Sequence, residues 1–256
     1  PGRHESVTAA SGADRRAAAR AAQRQHLGVR IRQAREIAVM VSILVDQKKI
    51  EVQEGTSVLK ACLDNGITIP NLCYLKEVDP APASCRLCFV EIDGVDRPVA
   101  ACSVPVQAAM VVRTDTPAVR RLQRTALKLL LSVHDVDCKN CPANRKCALQ
   151  HLARFLKVGL KPKGLRHRLK EPPIDDRHPC LDYYPNRCVL CGRCVAVCRA
   201  ASDRPELTFA KRGFDTVVSF FGRTDSVRHD CATCRACIDT CPVAALALKD
   251  GLKSLP

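Results

Sequence analysis

Two cysteine runs of identical spacing, Cys188-x2-Cys191-x2-Cys194-x3-Cys198 and Cys231-x2-Cys234-x2-Cys237-x3-Cys241, constrain this chain more than any other feature. Cys-x2-Cys lets one turn present two thiols to the same side, and a third cysteine three residues further on gives three corners of a small soft-metal centre. The alternative use of many cysteines is a disulfide framework. The chain has 17 cysteines, an odd number, and its basic start is followed by no apolar segment of signal-peptide or membrane-span length. A disulfide framework then lacks its usual compartment, and the thiols read as metal ligands in a cytoplasmic chain with no membrane insertion. Aromatic residues make up only 4% and tryptophan is absent, so metal, rather than one large aromatic core, is expected to hold parts of the fold together.

In the two-cluster bacterial ferredoxin arrangement each run gives three ligands to one [4Fe-4S] cluster and its fourth cysteine to the other. On that rule Cys188, Cys191, Cys194 and Cys241 hold one cluster, while Cys231, Cys234, Cys237 and Cys198 hold the second. Pro242 follows Cys241 as that pattern requires, but Arg199 follows Cys198, a departure that bears on the local turn more than on ligation. Crossed triplets of this kind do not resemble a zinc finger. Two further sets lie upstream. Cys73-x11-Cys85-x2-Cys88-x13-Cys102 offers four thiolates, which suit one [2Fe-2S] cluster and would close equally well around zinc. His134-x3-Cys138-x2-Cys141-x5-Cys147 offers three thiolates and an imidazole, which fit zinc or a [4Fe-4S] cluster with one His ligand; otherwise His134 is a polar residue closing a helix. Two cysteines stand apart. Cys62 reads as a small core residue, and Cys180 as a loop thiol for which a spare-ligand or reactive role is the alternative. His151, His167 and His229 read as surface residues.

Alternation over residues 41–45 and 50–53, with a turn at 46–49, predicts a β-hairpin. Thr56 is the expected N-cap of a helix that presents Val58, Leu59, Cys62 and Leu63 on one face and ends at a left-handed Gly66. Return strands at 89–92 and 110–112 complete a β-grasp domain, residues 40–115, that carries the first ligand set. Thr116 and Pro117 open a second helix with Val119, Leu122, Ala126, Leu129 and Val133 at helical spacing. It leads into a His/Cys cluster-binding segment, residues 116–160. Residues 161–179, rich in lysine, arginine and proline, read as a solvated linker or as a docking surface for an acidic partner. A two-cluster ferredoxin-like domain follows at 180–250, with strand-like sequence at 206–221 between its runs, and 251–256 is a tail. Residues 1–39 read as a disordered basic leader or targeting peptide, with Met40 as an alternative start. The expected class is α+β.

Lys and Arg outnumber Asp and Glu by 41 to 26, a formal +15, which taken alone invites a nucleic-acid reading. Bound clusters offset it: four thiolates leave an oxidised cluster at roughly −2, and four centres, one with a neutral His, sum to about −7. Residues 1–39 add eight Arg against three acids. The remaining loaded body is close to neutral and shows no aromatic-interleaved basic strand or recognition helix, so nucleic acid is not expected as a partner.

The order of these sets over residues 41–250 resembles the amino-terminal iron-sulfur region of the complex I large subunit. It is also similar to the electron-input domain of [FeFe] hydrogenases and the small diaphorase subunit of NAD-linked bidirectional [NiFe] hydrogenases. With the sequence ending at Pro256, the stand-alone diaphorase subunit is the expected nearest relative. The resemblance implies one [2Fe-2S] and three [4Fe-4S] clusters and a non-catalytic relay. Electrons would pass between a flavoprotein subunit that oxidises NADH and a hydrogenase or related dehydrogenase subunit. Similar modules serve NAD-dependent formate dehydrogenases and respiratory NADH dehydrogenases. No Gly-x-Gly-x-x-Gly or Walker motif suggests a dinucleotide site in this chain itself. The rivals from other classes are a zinc-stabilised nucleic-acid-binding protein and a self-sufficient NAD(P)H oxidoreductase.

Overall fold

The computed structural model describes residues 39–202, 205–221 and 231–252. The leader reading of residues 1–39, except Val39, and the surface reading of His229 lie outside them. Strand β1 (Met40–Val45) pairs antiparallel with β2 (Lys48–Gln53), burying Val41, Ile43, Val45, Ile50 and Val52 on one face. The turn is shorter than the four residues expected. Only Asp46 and Gln47 separate the strands, with φ of 46° and 70°, the left-handed pair of a tight hairpin turn. Glycine is not needed because the Asp46 carboxylate accepts the Thr114 N–H at 2.8 Å and also bonds the Thr114 hydroxyl.

β1 also pairs in parallel with β5 (Val111–Arg113), β5 with β3 (Phe89–Ile92) and β3 with the edge strand β4 (Val99–Ala100), giving the order β2-β1-β5-β3-β4. Helix α1 (Val58–Asp64) buries Val58, Leu59, Ala61 and Cys62 in the same core as the sheet residues. Its N-cap is Ser57, whose hydroxyl accepts the Lys60 N–H at 3.3 Å, and not Thr56. Thr56 is held one step back, its carbonyl accepting the Val106 N–H at 2.8 Å. Gly66 has the expected left-handed φ, 74°. Cys62 is fully buried, and burial pushes its thiol up to about 12.

Helix α2 (Pro117–Ser132) starts as the sequence indicates, with Thr116 accepting the Val119 N–H at 3.2 Å. Its buried stripe differs. Val119, Gln123, Leu127 and Leu131 face inward, whereas Leu129 is 54% exposed. The face is rotated because Gln123, fully buried, turns its Nε2 to the Phe89 carbonyl at 3.1 Å and so fastens the helix to β3. A polar residue at an inward position hid this register from a reading of apolar spacing.

The remaining elements are short. Helix α3 (Ala148–Leu156) packs against α2, and β6 (Leu181–Tyr183) pairs antiparallel with β9 (Leu246–Leu248). Between them lie α4 (Arg193–Ala201), the hairpin of β7 (Leu207–Ala210) with β8 (Val217–Phe220), and α5 (Ala236–Asp239). The lysine- and proline-rich stretch before β6 is solvated only in part. The Arg168 N–H donates to the Ser132 carbonyl, Lys170 and Asn186 exchange two hydrogen bonds, and Asp175 and Tyr183 exchange two more between backbones. Lys170, Asp175 and His178 are buried. The result is a mixed α/β fold with one core under the five-stranded sheet, a larger one among the cysteine-bearing loops and a small third around Cys180, Leu181 and Leu248. Among the described residues no helix is long and apolar enough to cross a membrane.

Candidate metal centres

Cys73 lies in the loop after α1, Cys85 and Cys88 in the loop entering β3, and Cys102 in a 3-10 turn directly after β4. Left-handed Arg86, φ 54°, bends the Cys85-x2-Cys88 turn. All four thiols are buried and meet as two close pairs. Within each pair one thiol is held down by its partner and the other pushed up: Cys85 lowers Cys73 and Cys88 lowers Cys102, while Cys85 and Cys88 are pushed up. Cys73 and Cys85 belong to the larger core, Cys88 and Cys102 to the core under the sheet. The site therefore sits on the seam between the two.

His134, Cys138, Cys141 and Cys147 line one cavity of about 230 Å³ between the end of α2 and the start of α3. His134 is buried, and its Nδ1 lies 2.8 Å from the Arg187 carbonyl. A carbonyl only accepts, so Nδ1 carries the proton and the Nε2 lone pair is free for a metal. Burial lowers the affinity of this ring for a second proton, which keeps it in the neutral form a ligand must have. Burial also pushes the Cys147 thiol up, with Cys141 and Cys138 adding to the effect.

Cys188, Cys191 and Cys194 line an enclosed pocket together with Cys241, which comes from the other run. Conversely, Cys237 is pushed up to about 12 by burial first and then by Cys198, Cys231 and Cys234 around it. Cys241 thus stands beside the thiols of the first run, and Cys198 beside Cys237 of the second. Backbone N–H groups of Leu190, Glu206 and Ala245 donate to the sulfurs of Cys188, Cys198 and Cys241 at 3.4, 3.2 and 3.2 Å. Arg199 has a visible consequence: α4 runs on past Cys198 to Ala201, where a proline would have removed a helical hydrogen bond.

Some residues at these centres were not singled out by the sequence. Tyr183 is buried and accepts the Val218 N–H at 3.2 Å on the hydroxyl that also bonds Cys188. Nothing in its sequence context marks it. Cys180 is not an idle loop thiol: it is fully buried, and ligand atoms of His178, Cys180 and Cys231 all lie within 4.8 Å of one another. Cys180 first, and then His178, hold the Cys231 thiol below its ordinary range. The one available signal was a histidine two residues before a cysteine with no assigned set. His151 and His167 are exposed, as expected.

Soft sulfur donors grouped in fours, N–H donors aimed at those sulfurs and an imidazole with a free Nε2 suit iron-sulfur clusters. Known proteins agree. Residues 38–117 match the 2Fe-2S iron-sulfur cluster binding domain, and residues 123–160 match the NADH-ubiquinone oxidoreductase-G iron-sulfur binding region. The chain is 36% identical over 210 residues to the NADPH-Fe(3+) oxidoreductase subunit alpha of Geobacter sulfurreducens, covering 82% of this chain and 24% of that one. It is 33% identical over 215 residues to the mitochondrial NADH-ubiquinone oxidoreductase 78 kDa subunit of Neurospora crassa, covering 82% and 28%. It thus spans about a quarter of the length of these curated relatives. A chain in the crystal structure of an NAD+-reducing [NiFe]-hydrogenase in the H2-reduced state superposes with a TM-score of 0.71 at 31% identity, over 84% of this chain and 90% of that one. With a 2Fe-2S domain, a 4Fe-4S binding region and that shared fold, the chain belongs to the iron-sulfur subunit family of the complex I large-subunit N-terminal region and its hydrogenase counterparts.

Proposed function

We propose that the chain is an electron-relay subunit with four centres. One [2Fe-2S] cluster is held by Cys73, Cys85, Cys88 and Cys102. One [4Fe-4S] cluster is held by His134, Cys138, Cys141 and Cys147, a second by Cys188, Cys191, Cys194 and Cys241, and a third by Cys231, Cys234, Cys237 and Cys198. They divide among a β-grasp ferredoxin module, a His/Cys helical segment and a two-cluster ferredoxin-like module. The observation that carries this reading is the pocket that Cys241 shares with Cys188, Cys191 and Cys194, because only a two-cluster arrangement asks for that exchange.

When bound, such clusters accept and release single electrons without making or breaking bonds in a substrate. The protein's part is to hold, orient and shield. Two thiol pairs, Cys73 with Cys85 and Cys88 with Cys102, suit the two irons of the smaller cluster. The Arg187 carbonyl fixes the His134 ring with Nε2 toward its three cysteines. Val189, Leu190, Val218 and Leu246 close the Cys188 pocket against water, and Tyr183 adds a hydroxyl donor at Cys188. Neither a general base nor a nucleophile is assigned to substrate chemistry.

The partners in this reading are a flavoprotein subunit that oxidises NAD(P)H on one side and a hydrogenase or related dehydrogenase subunit on the other; what supports an NAD(P)-linked assembly is the likeness to an NADPH-Fe(3+) oxidoreductase subunit and to a chain of an NAD+-reducing hydrogenase. Iron, acid-labile sulfide and zinc counted on anaerobically purified protein test the reading. About fourteen iron atoms per chain, with matching sulfide, are expected from two plus three fours. About ten would leave one four-iron set empty, and zinc in place of iron would end the relay reading. Dye reduction by NADH is expected only after a flavoprotein is added; reduction by this chain alone would make it a self-sufficient oxidoreductase.

A further inference from the structure

We infer that Cys180 and His178 form a donor pair that stabilises the reduced state of the cluster held through Cys231, by presenting an S–H and an N–H to its sulfur end. This rests on the ligand sets proposed above, and neither residue belongs to any of them.

The protons can be placed from the hydrogen bonds. Nδ1 of His178 accepts the backbone N–H groups of Cys180 and Leu181, each at 3.1 Å. A nitrogen that accepts carries no proton, so the neutral ring has its proton on Nε2. With two N–H groups already sharing the Nδ1 lone pair, the Cys180 thiol 3.4 Å away is left free to point its proton elsewhere. The remaining acceptor in the trio is the Cys231 sulfur. Nε2 of His178, on a residue only 1% exposed, is buried with no hydrogen-bond partner among the described residues. A buried donor of this kind is costly unless something accepts from it. The ring is braced by Phe220, 4.7 Å away between centroids, and Cys180 shares a buried apolar pocket with Leu181, Ala232 and Leu248, against which Cys231 and Cys237 pack.

Reduction adds one electron, and hence one negative charge, to the cluster and its thiolates, with no proton transferred. Donors to sulfur stabilise that extra charge and raise the potential. The pair is one-sided: the cluster of Cys188, Cys191, Cys194 and Cys241 has a tyrosine hydroxyl in the comparable position, at Cys188.

The test is a redox titration of the anaerobic holoprotein with dithionite, followed by electron paramagnetic resonance. In Cys180→Ala one of the three [4Fe-4S] midpoints is expected to move to more negative potential, with iron content unchanged and the other two in place. Cys180→Ser, which restores a donor, should recover part of the shift. His178→Asn keeps an acceptor near the Nδ1 position and removes the Nε2 proton, so it should move the same midpoint in the same direction. Unmoved midpoints in both Cys180→Ala and His178→Asn would overturn the inference, as would loss of four irons in Cys180→Ala, which would make Cys180 a ligand. Cys231→Ser separates the two claims: retention of every wild-type signal in that variant would overturn the ligand assignment itself.

Discussion

Ser84 donates a 2.7 Å hydrogen bond from its hydroxyl to the carbonyl of Cys191, 107 residues away. The bond ties the loop of Cys85 and Cys88 to the first of the two crossed runs. The two segments also meet closely at the next residue, where a Cβ on Gly192, φ 80°, would stand 3.3 Å from the Cβ of Pro82. Ser84→Ala removes the tie and leaves a half-buried carbonyl without its partner, at a cost of about 1 kcal/mol. A thermal melt of the holoprotein should show the midpoint lowered by a few degrees; an unchanged midpoint would mean the two loops are held without it.

The tautomer of His134 sets a second expectation. Nδ1 is committed to the Arg187 carbonyl, so only Nε2 is available, and His134→Ala should lose about four irons per chain. His134→Cys should keep a four-iron centre but move its midpoint to more negative potential, because a thiolate brings a charge that imidazole does not. Full iron content in His134→Ala would assign the fourth ligand elsewhere.

Gln123 is the only polar side chain among the fully buried residues of α2. Gln123→Leu keeps the volume but leaves the Phe89 carbonyl without its 3.1 Å donor, a loss of about 1–3 kcal/mol. Urea unfolding should show a lower midpoint with an unchanged slope. A midpoint at or above the wild-type value would show that packing alone fastens α2 to β3.

Chelation should separate the two cores. The sheet and α1 enclose an aliphatic core that includes Val45, Val58, Leu59, Val90, Val106 and Val112, whereas the larger core counts Cys73, Cys85, Cys147, Cys188, Cys191 and Cys194 among its buried members. Removing iron strips the second core of its cross-links. Limited proteolysis of chelated protein is expected to cut within residues 130–250 and to spare a fragment containing the hairpin of β1 and β2. Protection of residues 130–250 after chelation would show that these loops fold without metal.

What the sequence disclosed is what local spacing encodes. The Cys-x2-Cys turns and the Thr116-Pro117 helix start are decided by residues a few positions apart, and each stands where it was expected. The inward turn of Gln123 displaced the α2 face because a side-chain amide can satisfy a distant carbonyl, something no hydropathy pattern records. The two-residue turn at Asp46 and Gln47 needed Thr114, 68 residues on. Tyr183, His178 and Ser84 escaped notice for the same reason: each acts on a cysteine whose own motif is elsewhere, and only the folded chain brings them together.

On the ligand sets proposed above, the exchange of Cys198 and Cys241 between the two runs would fix where this protein can be divided. A cut or a recombination breakpoint between residues 198 and 231 gives one fragment three thiols of one quartet with a stray from the other, and gives its counterpart the mirror image. Neither piece inherits a complete quartet from this region. The duplicated region would therefore behave as one indivisible cassette, and chimeras between related chains should exchange both runs together or neither.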